Sequence, residues 1–254
     1  MVTQSPSKRS SEARPSPPRL SLRHALFLDF DGTLIDIAES PSAITVPRDL
    51  PALLMRLQIF LGGAVAIVSG RPLADLVSYL APADLDIIAE HGAVVKRRGT
   101  PVYQPQAVWP ESWQVRLDQF TADHPDAEVE RKAYSIALHF RRAPEAEHDA
   151  VNLLTALAGE ASGGFDILPA KMAFELKLAT MSKGKAITAL MTEEPFHRRV
   201  PVFAGDDVTD EDGFAAVASM GGVELRVDEA FGGEPRNVRA WLAREIKTQG
   251  DAAA

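Results

Sequence analysis

Ala25-Leu26-Phe27-Leu28-Asp29-Phe30-Asp31-Gly32-Thr33 runs from an apolar stretch straight into two carboxylates. A short run that is apolar at every position predicts a strand buried on both faces, as in a parallel sheet covered by helices. Asp29 and Asp31 are spaced i, i+2, and on extended backbone that spacing points both side chains to the same side. Gly32 lets the chain turn away, and Thr33 adds a hydroxyl beside the acids. Two neighbouring acids repel each other and bury badly. They mark either a solvated turn or a site that supplies positive charge, and the pentapeptide alone leaves both readings open.

Outward from this stretch the pattern repeats. Leu50, Leu53, Leu54, Leu57, Phe60 and Leu61 recur at helical spacing before Gly62-Gly63. Residues 64–68 read as a second buried strand ending in Ser69-Gly70-Arg71, and Pro72 opens a helix with Leu73, Leu76, Val77 and Leu80 on its apolar face. Residues 85–89 read as a third strand, followed by Glu90-His91-Gly92. This alternation predicts an α/β fold, a parallel sheet with helices on both faces. The pattern changes over residues 106–179. A helix is expected from Pro110 to Phe120, strands over 127–130 and 134–140, a helix from Pro144 towards Gly159, and an antiparallel pair over 165–169 and 172–178. Two strand pairs, each tied to a helix, describe a small inserted α+β unit. The α/β rhythm then returns: a helix from Ser182, a strand over 200–204 ending in Gly205-Asp206-Asp207, a helix to Met220, a strand over 223–227 and a helix over 235–247. The expected organisation is a core over 23–105 and 180–248 with a cap over 106–179.

The bulk numbers exclude several classes. Of 254 residues, 46% are hydrophobic and 24% charged, as in ordinary globular proteins. A formal net charge of -8 weighs against nucleic acid as a partner. It does not forbid an anionic substrate, since local cations and a metal reverse the sign within a cleft. The absence of cysteine removes disulfides, thiolate nucleophiles and cysteine-ligated metals. No apolar stretch approaches the roughly 20 residues of a membrane helix. Residues 1–22, rich in Ser, Pro, Arg and Lys, predict a disordered tail without the apolar core of a signal peptide, and a cytoplasmic location is expected.

Four clusters carry chemistry: Asp29/Asp31, Ser69, Lys183 and Asp206/Asp207/Asp210. All fall at strand or helix ends that a parallel sheet gathers along its carboxyl edge, where ligands bind in such folds. Carboxylates from two strands meeting there call for a cation, and oxygen-only donors suit Mg²⁺. A serine hydroxyl and a lysine ammonium beside such a cation form a phosphate pocket. Singly, each residue has an ordinary alternative: a turn or helix cap for Ser69, a solvated surface lysine for Lys183, a surface ion pair for Arg71.

Taken in order, Asp29-Phe30-Asp31-Gly32-Thr33, Ser69, Lys183 and Gly205-Asp206-Asp207 resemble the four motifs of the haloacid dehalogenase (HAD) superfamily of phosphohydrolases. Val68-Ser69-Gly70-Arg71, Glu90-His91-Gly92, Glu130-Arg131-Lys132, His139-Phe140-Arg141, Ser182-Lys183-Gly184 and the stretch 205–211 resemble more narrowly the trehalose-6-phosphate phosphatases, over about Ala25 to Trp241. The resemblance implies a HAD-like Rossmannoid core with a C2-type cap, and Mg²⁺-dependent hydrolysis of trehalose 6-phosphate, the last step of trehalose biosynthesis, by a monomer. It makes Asp29 the nucleophile, Asp31 the general acid and base, and Ser69 and Lys183 the groups that neutralise the phosphoryl oxygens. It gives the Asp29 carboxylate, the Asp31 main-chain carbonyl and Asp206 to the metal, with Asp207 and Asp210 supporting the metal or Lys183. Glu130, Lys132 and Glu175 stand where the family contacts glucose hydroxyls, and Arg71 is assigned to substrate. Lys177 is followed by Leu178-Ala179-Thr180-Met181 without the proline frequent in the family, which bears on the hinge. His91 is expected to act as a hinge or supporting group, and Trp109 and Trp113 as a packing stripe. Two alternatives stay open: a phosphatase of another sugar phosphate, of the sucrose phosphate or glycosyl-glycerate phosphate type, and a non-catalytic phosphosugar sensor, against which the presence of both Asp29 and Asp31 argues.

Overall fold

In the computed structural model, the first apolar run is strand β1 (His24–Asp29), and its side chains divide by parity. Leu26 and Leu28 enter one hydrophobic cluster, Ala25 and Phe27 another, so period-two alternation builds a core on each face of one strand. The structure describes residues 16–250 apart from 39, 41–42, 101–108, 133, 162–163 and 180. The expected tail to residue 15 and the expected domain limits at 105–106 and 180 lie outside the described residues.

After β1 the chain forms α1 (Leu50–Phe60), β2 (Val65–Val68), α2 (Leu73–Leu80), β3 (Asp86–Ala89), β4 (Val94–Lys96), α3 (Glu111–Asp123), β5 (Glu128–Arg131) and β6 (Ser135–His139). It continues through α4 (Glu147–Glu160), β7 (Phe165–Ala170), β8 (Ala173–Leu178), α5 (Lys183–Leu190), β9 (Val200–Gly205), α6 (Glu211–Ser219), β10 (Val223–Arg226), α7 (Val227–Phe231) and α8 (Pro235–Gly250). Six strands make one sheet in the order β10-β9-β1-β2-β3-β4, parallel except for β4, which pairs antiparallel with β3. Leu50, Leu54 and Leu57 of α1, Leu73, Leu76 and Leu80 of α2, and Val238, Trp241 and Leu242 of α8 bury against one face. Ile187 and Leu190 of α5 and Phe214 and Val217 of α6 bury against the other. Each such side chain contributes roughly 1.5–3 kcal/mol relative to exposure. The register sets Asp29 opposite Val68 and Leu28 opposite Ala204, so the residues following β1, β2 and β9 emerge along one edge.

The segment between β4 and α5 folds on its own sheet, β5-β6-β8-β7, antiparallel throughout. Ile136, Leu138 and Leu176 pack from one face onto Trp113, Leu117 and Phe120 of α3 and Ala150, Leu154 and Leu157 of α4. Trp109 and Trp113 stack within this cluster with ring centroids 5.8 Å apart, so the i, i+4 pair serves packing. On the other parity, Glu130 pairs with Ala137 and Ala137 with Glu175, which lines up two carboxylates across three strands.

Three details differ from the sequence reading. Leu20 is 5% exposed and its N–H donates to Glu245 Oε2 at 2.9 Å, so the packed chain begins before residue 22, where composition places the end of a tail. One buried leucine in a polar stretch is invisible to an average over that stretch. Strand β4 follows a tight 3-10 turn at Glu90–Gly92 and carries too few residues to show a period. Val227 begins α7 and does not close β10. Among the described residues, no helix is long and apolar enough to cross a membrane.

Candidate active site

Asp29 ends β1 almost completely buried. Lys183 opens α5 behind the cap Ser182, whose hydroxyl accepts from the Lys185 N–H, and this fixes where the lysine leaves the helix. Its Nζ lies 3.0 Å from Asp29 Oδ1 and 2.6 Å from Asp210 Oδ1. Asp210 is fully buried, and its Oδ2 accepts from the N–H groups of Asp206 at 3.1 Å and Asp207 at 3.2 Å. It therefore holds both the lysine and the loop after β9. Asp207 turns its Oδ1 to the Val208 N–H at 2.6 Å, capping the local 3-10 turn.

The cluster is short of positive charge. Burial, then Asp210, push the Asp29 carboxyl well above its ordinary range against the pull of Lys183. Asp206 is pushed up to about 7 by burial, by Asp210 and by Asp207. Burial works to lower Lys183, but Asp210 and Asp29 hold it above the usual lysine value. Carboxylate oxygens of Asp29, Asp206 and Asp210 lie within 4.8 Å of one another. Among the described residues Asp206 Oδ1 is buried without a hydrogen-bond partner, an arrangement that costs about 1–3 kcal/mol or more unless something else coordinates it. Gly32, at φ +76°, permits this approach: a Cβ there would lie 2.0 Å from Asp206 Oδ2. An oxygen-only, anionic donor set with an orphaned carboxylate oxygen fits a hard divalent cation such as Mg²⁺. The third carboxylate of the cluster is that of Asp210, while the expectation for Asp31 concerns its main-chain carbonyl.

Asp31 meets Arg71. The guanidinium donates from Nε to Oδ2 at 2.6 Å and from Nη2 to Oδ1 at 2.7 Å, while lying 5.7 Å from the Tyr79 ring centroid. The Arg71 N–H donates to Ser69 Oγ at 3.1 Å, which sets the serine beside the two acids. Arg71 thus pairs with Asp31 while also lining the cavity, where a substrate contact is expected of it.

Above this edge, the second sheet presents the face carrying Glu130 and Glu175. Lys132 Nζ donates to Glu175 Oε1 at 3.0 Å and to the Gly70 carbonyl at 3.0 Å, and lies 3.9 Å from Glu130 Oε2. Glu175 also accepts from Ser135 Oγ at 2.5 Å and meets His91 Nε2 at 2.8 Å. Burial works to raise Glu175, but Lys132 and His91 hold it well below the usual carboxylate range. Glu130 pairs with His139 Nε2 at 3.0 Å. A cavity of about 250 Å³ joins the two layers, lined by Asp29, Ser69, Lys183 and Asp206 on one side and Glu130, Lys132 and Glu175 on the other. His139, Glu128 and Arg141 also line it, though the sequence reading assigns them no role. His139 pairs in register with Glu128, so strand parity held the missed signal.

A carboxylate, a lysine and a serine on the carboxyl edge of a parallel sheet, under a second small sheet, define a haloacid-dehalogenase-like hydrolase. The chain belongs to the trehalose-phosphatase family, a family of phosphoric monoester hydrolases: the family's model, "Trehalose-phosphatase", matches residues 27–241. It is 36% identical over 213 residues to the trehalose-6-phosphate phosphatase of Escherichia coli, covering 83% of this chain and 79% of that protein. It is 36% identical over 218 residues to a probable trehalose-phosphate phosphatase of Sinorhizobium fredii, covering 83% and 82%. In fold it is similar to the C-terminal domain of the C. albicans trehalose-6-phosphate phosphatase, with a TM-score of 0.74 at 22% identity over 94% of this chain and 99% of that one.

Proposed function

We propose that this protein hydrolyses trehalose 6-phosphate to trehalose and phosphate, through an aspartyl-phosphate and with Mg²⁺, and that residues 106–179 act as its cap. The observation that carries the reading is the single cavity in which Asp29, Ser69, Lys183 and Asp206 face Glu130, Lys132 and Glu175. The first set suits a phosphoryl group. The second offers donors and acceptors together, as sugar hydroxyls require. The substrate itself follows from the names borne by the relatives.

Asp29, Asp206 and the main-chain carbonyl of Asp31 are the groups that would hold Mg²⁺, which supplies Lewis-acid polarisation of the phosphoryl oxygens. Lys183, 3.0 Å from Asp29 Oδ1, favours the anionic carboxylate against its burial and donates to a phosphoryl oxygen, and Ser69 donates to another. An Asp29 oxygen attacks phosphorus, the bond from phosphorus to the sugar oxygen breaks, and Asp31 delivers the proton that oxygen needs. Water then attacks the aspartyl-phosphate, its proton passes to Asp31, and the bond to Asp29 breaks to release phosphate. Arg71 fixes the plane of the Asp31 carboxylate for both transfers. The cap sheet shields the phosphorylated aspartate from premature hydrolysis.

Phosphate release across a panel of sugar phosphates, with and without a chelator, tests the reading. Selective, chelator-sensitive turnover of trehalose 6-phosphate is expected. Equal rates across the panel would defeat the substrate assignment, and activity that survives exhaustive chelation would defeat the metal requirement.

A further inference from the structure

We infer that His91 is a positioning residue: it holds Glu175 in place for the sugar and couples that carboxylate to the loop that carries Ser69. The inference rests on the reading of Glu175 as a sugar contact. Glu90 and His91 both occupy the left-handed region, at φ 49° and 55°, which non-glycine residues rarely adopt. Main-chain bonds hold them there, from Glu90 N–H to the Arg71 carbonyl and from His91 N–H to the Ser69 carbonyl, both 3.1 Å. The 3-10 turn is thereby clamped onto residues 69–71. From it the imidazole passes directly over Gly70, where a Cβ would lie 2.3 Å from Nε2. Only a bare backbone lets the ring take this path to Glu175.

The proton on the ring follows from its partner. Glu175 accepts on Oε1 from Lys132 and Ser135 and meets His91 through Oε2, 2.8 Å from Nε2. An ionised carboxylate is acceptor only, so Nε2 carries the hydrogen and donates. Burial lowers the imidazole's tendency to take a second proton, and among the described residues Nδ1 is buried without a partner. Packing alone would require neither a left-handed backbone nor an orphaned nitrogen. Among the described residues, Nε2 alone of its two ring nitrogens is partnered, and that partner belongs to the other sheet. Two more bonds bridge the same gap, from Lys132 Nζ to the Gly70 carbonyl at 3.0 Å and from the Tyr134 N–H to Glu90 Oε2 at 3.2 Å. The groups that face the sugar are therefore registered against the groups that face the phosphate.

Steady-state kinetics on trehalose 6-phosphate, together with the inhibition constant of inorganic phosphate, test this in His91→Leu, His91→Gln, Glu175→Gln and the double variant. Loss of one charge-assisted hydrogen bond predicts that His91→Leu lowers kcat/KM about tenfold, mainly through KM. The phosphate constant, which needs the sheet edge alone, should move less than about twofold. His91→Gln, which returns an N–H near the position of Nε2, should recover most of the loss. Glu175→Gln should match His91→Leu, and the double variant should add little. The inference is overturned if His91→Leu leaves kcat/KM intact, or shifts the phosphate constant as far as KM, while Glu175→Gln still impairs turnover. If Glu175→Gln itself leaves kcat/KM unchanged, the sugar-contact reading fails first and takes the inference with it. Should His91→Leu not fold by circular dichroism, His91→Asn, too short to reach Glu175, carries the same expectation.

Discussion

Arg71 grips Asp31 through both of its carboxylate oxygens, at 2.6 and 2.7 Å, across 40 positions of sequence. A planar fork fixes a carboxylate's orientation as well as its charge, which a point-charge ammonium does not. Arg71→Lys should therefore fold normally and lower kcat about tenfold, the equivalent of ~1.4 kcal/mol of misdirected proton transfer. Rapid-quench kinetics would show both half-reactions slowed.

Asp29 and Asp31 sit two residues apart with separable tasks. Asp29→Asn should abolish turnover, and Asp31→Asn should slow both steps by about a hundredfold, the usual worth of a general acid–base group. Mass spectrometry of quenched native enzyme should find a phosphoryl adduct on the peptide containing Asp29. Phosphate trapped on an Asp29→Asn protein would refute the nucleophile assignment.

Asp206 Oδ1 is buried and, among the described residues, has no hydrogen-bond partner. Adding Mg²⁺ should raise the melting temperature of chelated protein, and Asp206→Asn should remove most of that rise. By the linkage relation, a cation present at a hundred times its dissociation constant stabilises by about 2.7 kcal/mol. Differential scanning calorimetry with and without Mg²⁺ measures it directly.

Acid should weaken the cap through Glu175. Burial acts to raise this carboxyl, yet Lys132 and His91 carry it well below its ordinary value of 4.5. The folded group stays ionised where the unfolded chain has begun to bind its proton. Its contribution is thus complete above pH 4.5 and is lost as the pH falls below it towards the folded value. Glu130 and Asp84 are also lowered and titrate in the same sense, so the native protein must be compared with Glu175→Gln. The variant should be less stable near neutrality and show a shallower fall of melting temperature on its acid limb.

Gly32→Ala tests the approach of two strand ends. At φ +76° an alanine is strained by about 1–2 kcal/mol, and its Cβ would lie within 2.0 Å of Asp206 Oδ2. Activity should fall further than stability, because the displaced group is a proposed metal ligand. A variant with native kcat would show that Asp206 need not sit where it does.

The sheet was legible because buried strands announce themselves. β1, β2, β3 and β9 each hold a short apolar run, closed by Gly, Ser or acidic residues that cannot continue a buried strand. The order of the motif residues told which strand ends must meet. What the sequence did not show was how charges pair once they arrive. That Arg71 pairs with Asp31 depends on the turn after β2, which no local pattern predicts. His139 and Glu130 belong to adjacent strands, yet nothing in a single strand's alternation says that their side chains touch. Glu175 is one acid on a strand in the sequence, whereas in the fold it gathers three donors from two separate segments. Leu20 escaped for the opposite reason, being one apolar residue against many polar ones.

Asp210 has no surface of its own, yet both its oxygens are in use, one on Lys183 and the other on the backbone of Asp206 and Asp207. The lysine and the acidic loop therefore share a keystone. Drift at Asp210 alters two functions together, so compensating at either neighbour alone cannot restore the pair.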